Sequence, residues 1–149
     1  MSSDQTHMLR ALDLARSAAA MGEVPVGAVI ARDDVIIAEA HNRRESDKSP
    51  FAHAEFLAIQ QACIAINDWR LERCTLYITL EPCPMCAGAI MHARVSRVVY
   101  GADDPKTGAC GSVVDLMGEP RLNHHAAVTR GVRASECGRL LSEFFAARR

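Results

Sequence analysis

No uninterrupted apolar run in this sequence approaches the roughly 18 residues of a membrane-spanning helix, so a helical anchor is not expected. The first residues, Met1-Ser2-Ser3-Asp4-Gln5, lack the basic-then-apolar order of an export signal, which leads us to expect the chain in the cytoplasm. There the six cysteines (63, 74, 83, 86, 110 and 137) are expected to be reduced, buried or metal-bound, not paired in disulfides. Neither sign of charge is in excess: 17 Lys and Arg face 18 Asp and Glu, and a net charge of −1 gives no global basic field to announce a nucleic-acid partner. Lysine is nearly missing, with Lys48 and Lys106 alone, and the other cations are arginines, the better forks for phosphate. Repeats, linkers and low-complexity tracts are also missing, so the 149 residues read as one domain, 1–149, able to bury roughly 70% of its unfolded surface.

The residues that are present, 49% of them apolar with a mean hydropathy of −0.01, alternate between helical and strand patterns. Met8, Leu9, Leu12, Ala15, Ala18 and Ala19 recur at three- and four-residue steps and predict a helix over 4–21, stopped by Gly22. Two strands, 24–31 and 35–38, flank Arg32-Asp33-Asp34 as a hairpin, and their apolar residues on both faces imply a sheet covered by helices on each side. A polar loop over 41–52 leads into a helix from His53 to Ile64. A strand over 75–80, a helix over about 83–93 and a strand over 97–100 follow. Beyond a Gly, Asp and Pro-rich loop with a short helical turn at 113–117 come a weak strand over 126–132 and a closing helix from a Ser135 cap to Arg148-Arg149. This order predicts an α/β fold: a three-layer α/β/α sandwich around a mixed sheet of about five strands.

Two short motifs carry the chemistry. Cys83 and Cys86, three apart on a first helical turn, share a face where the helix dipole favours thiolates. By itself, this C-x-x-C after a strand suits a redox pair as well as a metal. His53-Ala54-Glu55, about thirty residues earlier at another helix start, supplies a third ligand and leaves a fourth tetrahedral position open, the mark of a catalytic zinc site. Such a zinc acidifies water to a pKa near ~7. Glu55 lies about 200° around a helix from His53, but at a first turn both can reach a metal lying off the helix end. Left unligated, Glu55 can take a proton and hand it on. H-x-E combined with P-C-x-x-C is the signature of zinc deaminases acting on nucleobases.

The same residues, with GEVPVGAVI from Gly22, HN at His41-Asn42, AHAE at Ala52, TLYITLEPCPMCAGAI from Thr75, GADDPKTGACGSVVDL from Gly101, NH at Asn123 and ECGRLLSEFFAARR from Glu136, resemble the bacterial tRNA-specific adenosine deaminase family of the cytidine deaminase-like superfamily. The resemblance spans nearly the whole chain. It implies one Zn2+ per chain on His53, Cys83 and Cys86, Glu55 as proton shuttle, and hydrolysis of adenosine to inosine. The implied substrate is the wobble adenosine of a tRNA anticodon loop, of an arginine tRNA, where an unpaired base is cheap to flip out. By position, Asn42 resembles a base-contacting residue, and Val26 and Ala54 line the pocket. Asp103, Asp104 and Lys106 resemble a loop beside neighbouring nucleotides, and Phe144, Phe145 and Arg148 a helix edge near the RNA. A homodimer is implied as well, and no membrane.

Two departures stand out: Ser49-Pro50-Phe51 replaces the family's usual Asp-Pro-Thr, and no longer basic tail follows Arg149. Three other readings compete: a deaminase of free guanine or cytosine, a non-catalytic zinc-stabilised RNA-binding module, and a redox dithiol that leaves His53-Ala54-Glu55 unexplained.

Overall fold

Ser2 starts the first helix: its hydroxyl accepts the Gln5 N–H at 3.2 Å, satisfying one of the donors that every helix start leaves orphaned. In the computed structural model, which describes residues 1–148, this helix α1 is Ser3–Ala20. It buries Met8, Ala11, Leu12, Ala15 and Ala18 on one face and ends where Gly22 takes φ +80°. Gly27 opens β1 (Gly27–Arg32) so close to α1 that a Cβ there would lie 2.0 Å from the Ala11 carbonyl oxygen. Asp33 and Asp34, both left-handed (φ 50° and 69°), turn the chain into β2 (Val35–His41), as a tight hairpin of right-twisted strands requires.

Then come α2 (Ala54–Ile66), β3 (Cys74–Leu80), α3 (Pro84–His92), β4 (Arg97–Ala102), β5 (Ala127–Arg130) and α4 (Ala134–Ala146). The sheet order is β2-β1-β3-β4-β5, antiparallel about β1 and parallel from β3 to β5. Side chains alternate across the strands, so Ile30, Leu76, Ile78 and Val98 pack on α2 and α3, while Val29, Tyr77 and Val99 pack on Met8, Leu12 and Cys137 of α1 and α4. The result is the expected α/β/α sandwich with a mixed five-stranded sheet. Asp4 ties α1 across this sheet: Arg97 donates to both its oxygens at 2.8 and 2.6 Å, and the Tyr77 hydroxyl donates at 3.1 Å.

Four details differ from the sequence-based expectations. First, β2 is the sheet edge and is not covered on both faces; Val35 is 65% exposed. The segment 113–117 forms no helical turn but carries Asp115 in an isolated bridge with Cys110, because Gly111 at φ +131° and the bonds of Ser112 to Glu81 bend the chain first. Arg133, left-handed at φ 54°, takes the cap position of α4, which puts Ser135 inside the first turn. Cys63, unlike Cys74, Cys110 and Cys137, is only half-buried. Arg148 donates to the Phe144 carbonyl at 3.0 Å at the end of α4; Arg149 lies outside the described residues.

Candidate metal centre and catalytic cleft

The chemistry sits at the carboxyl ends of β3 and β4, where the turn after Leu80 and the loop after Ala102 open a crevice. His53 is the N-cap of α2 and Cys83 the N-cap of α3, both with extended backbone, and neither side chain caps its own helix. Pro84 occupies the first helical position, where its missing N–H costs nothing. Freed from capping, the side chains converge: His53 Nδ1 lies 3.6 Å from Cys83 Sγ and 3.5 Å from Cys86 Sγ, and the three donor atoms all lie within 4.8 Å of one another. A tetrahedral ion with metal–nitrogen bonds of ~2.0–2.1 Å and metal–sulfur bonds of ~2.3 Å has N···S edges of about 3.5–3.6 Å. The donor set therefore fits zinc in both chemistry and spacing.

Electrostatics separates the thiols. A hydrogen bond with Cys86, then contact with His53, holds the Cys83 thiol down to about 4 against the cost of burial, while the same bond and burial push Cys86 far up. Of the two thiols, Cys83 is therefore the one whose ionised form is favoured. His53 is raised, chiefly by its contact with Cys83. The positive ends of both helices point at this charge.

Three buried carboxylates surround the cleft, Glu55 at 4%, Glu81 at 2% and Glu23 at 1% exposure, and hydrogen bonding sets them apart. Burial pushes Glu55 up to about 7, opposed by its own backbone N–H and the nearby His53 charge. Burial also acts to raise Glu81, but it ends below its ordinary value, because Ser112, Asp104 and Cys110 donate to it. Glu23 is lowered too: burial is outweighed by the Ser46 hydroxyl and N–H, both at 2.6 Å, and the Glu45 N–H at 3.1 Å. With so few donors, Glu55 is suited to exchange a proton near neutral pH, whereas the other two stay charged as fixed acceptors.

A cleft of about 160 Å³ opens over His53, Glu55 and Cys83. Val26, Asn42, Ala54 and Asp104 are in its wall. Asn42 is braced there, donating to the Val24 carbonyl at 3.2 Å and accepting the Arg44 N–H at 3.1 Å. One amide hydrogen and one lone pair remain free to meet a ligand. Asp104 also closes a turn by accepting the N–H of Lys106 at 3.0 Å. Asp103, which accepts the Tyr100 hydroxyl at 2.9 Å, and the exposed Lys106 are not in the wall. Phe144, Phe145 and Arg148 are likewise outside it, on the end of α4, where the Arg148 guanidinium lies 3.4 Å over the buried Phe144 ring and Phe145 is 46% exposed. At the departure from the family pattern, the Ser49 hydroxyl accepts the Phe51 N–H at 3.1 Å and the Phe51 ring stacks outward on Phe56.

Sequence reasoning had not singled out Val24, Arg44, Leu80, Glu81 and Thr107 of the wall, nor Glu23 behind it. For the two acids a signal exists: each stands beside a proline-containing apolar segment, Glu23-Val24-Pro25 and Leu80-Glu81-Pro82, where a solvated carboxylate is out of place.

The MafB19-like deaminase family matches residues 1–149. The tRNA-specific adenosine deaminase of Bacillus subtilis is 52% identical over 145 residues, covering 97% of this chain and 90% of that protein. A structure from work on A-to-I editing by tRNA:A34 deaminases at the wobble position of transfer RNA superposes with a TM-score of 0.88 at 44% identity, over 91% of this chain and 99% of that one. A guanine deaminase from Bacillus subtilis is more distant, with a TM-score of 0.65 at 35% identity over 96% of this chain and 92% of that one.

Proposed function

This chain belongs to the tRNA-specific adenosine deaminases, and on that premise we propose that its cleft converts the wobble adenosine of a tRNA anticodon loop to inosine with one zinc ion per chain. The observation that carries the reading is the convergence of His53 Nδ1, Cys83 Sγ and Cys86 Sγ beside the buried, sparsely hydrogen-bonded Glu55. His53, Cys83 and Cys86 would hold the zinc ion, which would supply Lewis acidity to a water at neutral pH. The rest falls to the chain's own groups.

Val26 and Ala54 offer apolar surface to the flipped base, and the free half of the Asn42 amide hydrogen-bonds its edge. Glu55 takes a proton from the attacking water and passes it to the adenine ring nitrogen N1, then takes the remaining proton from the new C6 hydroxyl and delivers it to the amine as the C6–N bond breaks and the C6 carbonyl forms. Adenosine and water become inosine and ammonia, with Glu55 unchanged. Asp103 and Lys106 flank this wall, and Phe144, Phe145 and Arg148 on the end of α4 extend the surface offered to the RNA. An arginine tRNA is the substrate we expect, in the cytoplasm; among the described residues no helix is long and apolar enough to cross a membrane.

A homodimer is part of the same proposal. A largely apolar groove between α2 and α3 is lined by Phe56, Ile59, Trp69, Met85 and Ala89 together with His92 and Arg94, and Trp69, with the Arg70 and Arg94 guanidinium groups over its ring, is 58% exposed. A second copy covering it would bury that surface.

One experiment tests the substrate: incubation of the protein with an adenosine-anticodon tRNA, free adenosine, cytidine and guanine in parallel, scored for inosine and ammonia. Inosine formed in the tRNA is the expected result. Turnover of guanine with none of the tRNA would transfer the chain to the chemistry of its more distant relatives.

A further inference from the structure

A buried carboxylate without a cationic partner is expensive, and a fold retains one only where its hydrogen bonds do something an apolar side chain cannot. Glu81 is such a group. Its Oε1 accepts the Asp104 N–H at 3.0 Å and the Ser112 hydroxyl, and its Oε2 accepts the Cys110 N–H at 2.9 Å and the Ser112 N–H at 3.1 Å. All of these donors come from the one loop that follows β4, a segment with no helix or strand of its own to satisfy its backbone.

The loop is drawn down so tightly that a Cβ on Gly108 would meet Glu81 Cδ at 2.4 Å. The next amide, Ala109, donates to the Pro82 carbonyl at 2.8 Å, so the loop also grips the residue between Glu81 and Cys83. Between the pinned amides of Asp104 and Cys110 lie the residues that reach the cleft, Asp104 and Thr107. One side chain therefore joins the metal-binding turn to the wall that faces it.

Resting on the deaminase reading above, we propose that Glu81 is a positioning residue that sets the Asp104–Thr107 wall against the metal turn and so determines how tightly the cleft holds its nucleotide. Glu81 borders the cleft, but both its carboxylate oxygens are taken up by donors of the loop, and it is not one of the three converging donor atoms. Its effect passes through the loop, which contacts bound substrate, while the reacting atoms are served by His53, Glu55, Cys83 and Cys86. Loosening the loop weakens binding more than the chemical step.

The test is Glu81→Gln in the metal-loaded protein. The amide keeps the side chain's volume but turns an NH2 group toward two of the loop's donors. Amide hydrogen exchange across 104–113 is expected to quicken, and KM for an adenosine-anticodon RNA stem-loop to rise about 10-fold with kcat within about 3-fold and metal content unchanged. Unchanged exchange in that segment, or a fall in kcat at constant KM, overturns the proposal. Should Glu81→Gln not fold, Ser112→Ala removes a single donor: exchange faster in this loop alone, with KM up about 2- to 3-fold, supports the tether, and wild-type behaviour overturns it. Hydrogen exchange does not depend on the substrate. A wild-type protein inactive on tRNA would therefore refute the function proposed above and leave the tether to be judged separately.

Discussion

His53 and Cys83 hold the same position on different helices, the N-cap of α2 and of α3, and their side chains turn from their own helices to meet at 3.6 Å. Each helix thus gives up a capping hydrogen bond, typically worth ~1 kcal/mol, at the point where the donor atoms assemble. A bound metal would more than offset this loss, because it would tie the two helix starts together through the converging donor atoms. Chelation at neutral pH is expected to abolish deamination and lower the melting temperature by several degrees, with zinc restoring both. Metal analysis should find about one zinc per chain. Full activity in protein shown to be metal-free would exclude the site.

Glu55→Ala isolates the proton relay from the ligands. Because Glu55 is not needed to complete the three-atom donor set, the variant is expected to retain its metal and fold while kcat falls at least ~100-fold. Removal of a buried carboxylate that receives few hydrogen bonds should leave the melting temperature unchanged or raise it. Near-normal turnover by the variant would eliminate the assigned role.

Much of this was legible in the residues themselves. Helix and strand periodicity placed the elements, and two motifs about thirty residues apart, His53-Ala54-Glu55 and Cys83-Pro84-Met85-Cys86, pointed to donor atoms that the fold brings together, because ligand chemistry demands residue types that packing does not. The mouth of the cleft was not legible. Glu23 and Glu81 work through bonds to backbone N–H groups of distant loops, and a backbone donor carries no mark of residue type. The same holds for 113–117, whose apolar run suggested a helical turn until tertiary bonds to Glu81 and Gly108 bent it otherwise. At α4, Arg133 displaced Ser135 as cap by adopting the left-handed region, a choice that local propensity does not favour.

The groove between α2 and α3 gives a test of assembly. Sedimentation at micromolar concentration is expected to show a dimer, and Trp69→Glu, which removes the exposed ring from the groove and puts a carboxylate in its place, should shift it toward monomer. A wild-type monomer at that concentration would rule out the assembly, and a dimer indifferent to Trp69→Glu would move the interface elsewhere.

At Gly27, α1 and β1 approach so closely that the missing Cβ leaves room for the Ala11 carbonyl oxygen and, at 2.7 Å, for the Ala15 nitrogen. Both are backbone atoms, which cannot rotate aside. Gly27→Ala must push the helix off the sheet, and with Met8 and Leu12 losing contact on Val29 the expected cost is about 3 kcal/mol or more, read from urea unfolding. Gly138, whose Cβ would meet nothing within 4 Å, is the control: Ala there, inside α4, should stabilise by ~0.5–1 kcal/mol.

Acid stability follows from Asp4, which lies on the face of the sheet away from His53, Cys83 and Cys86. The paired hydrogen bonds from Arg97, helped by Tyr77, hold its carboxyl below the ordinary 3.8 despite partial burial. Because the folded value is lower than the unfolded one, the unfolded chain binds this proton more readily. The stabilisation is therefore complete above the unfolded value and is lost as pH falls through the folded one. Glu23, lowered from 4.5 by the Ser46 and Glu45 donors, acts in the same direction in an adjoining range. Asp4→Asn removes the first contribution and leaves the second. Between about pH 5 and pH 2, the unfolding free energy of the variant should decline less steeply than that of the wild type, the two curves converging toward the acid end. Parallel curves would mean that the link from α1 to Arg97 adds nothing to stability in solution.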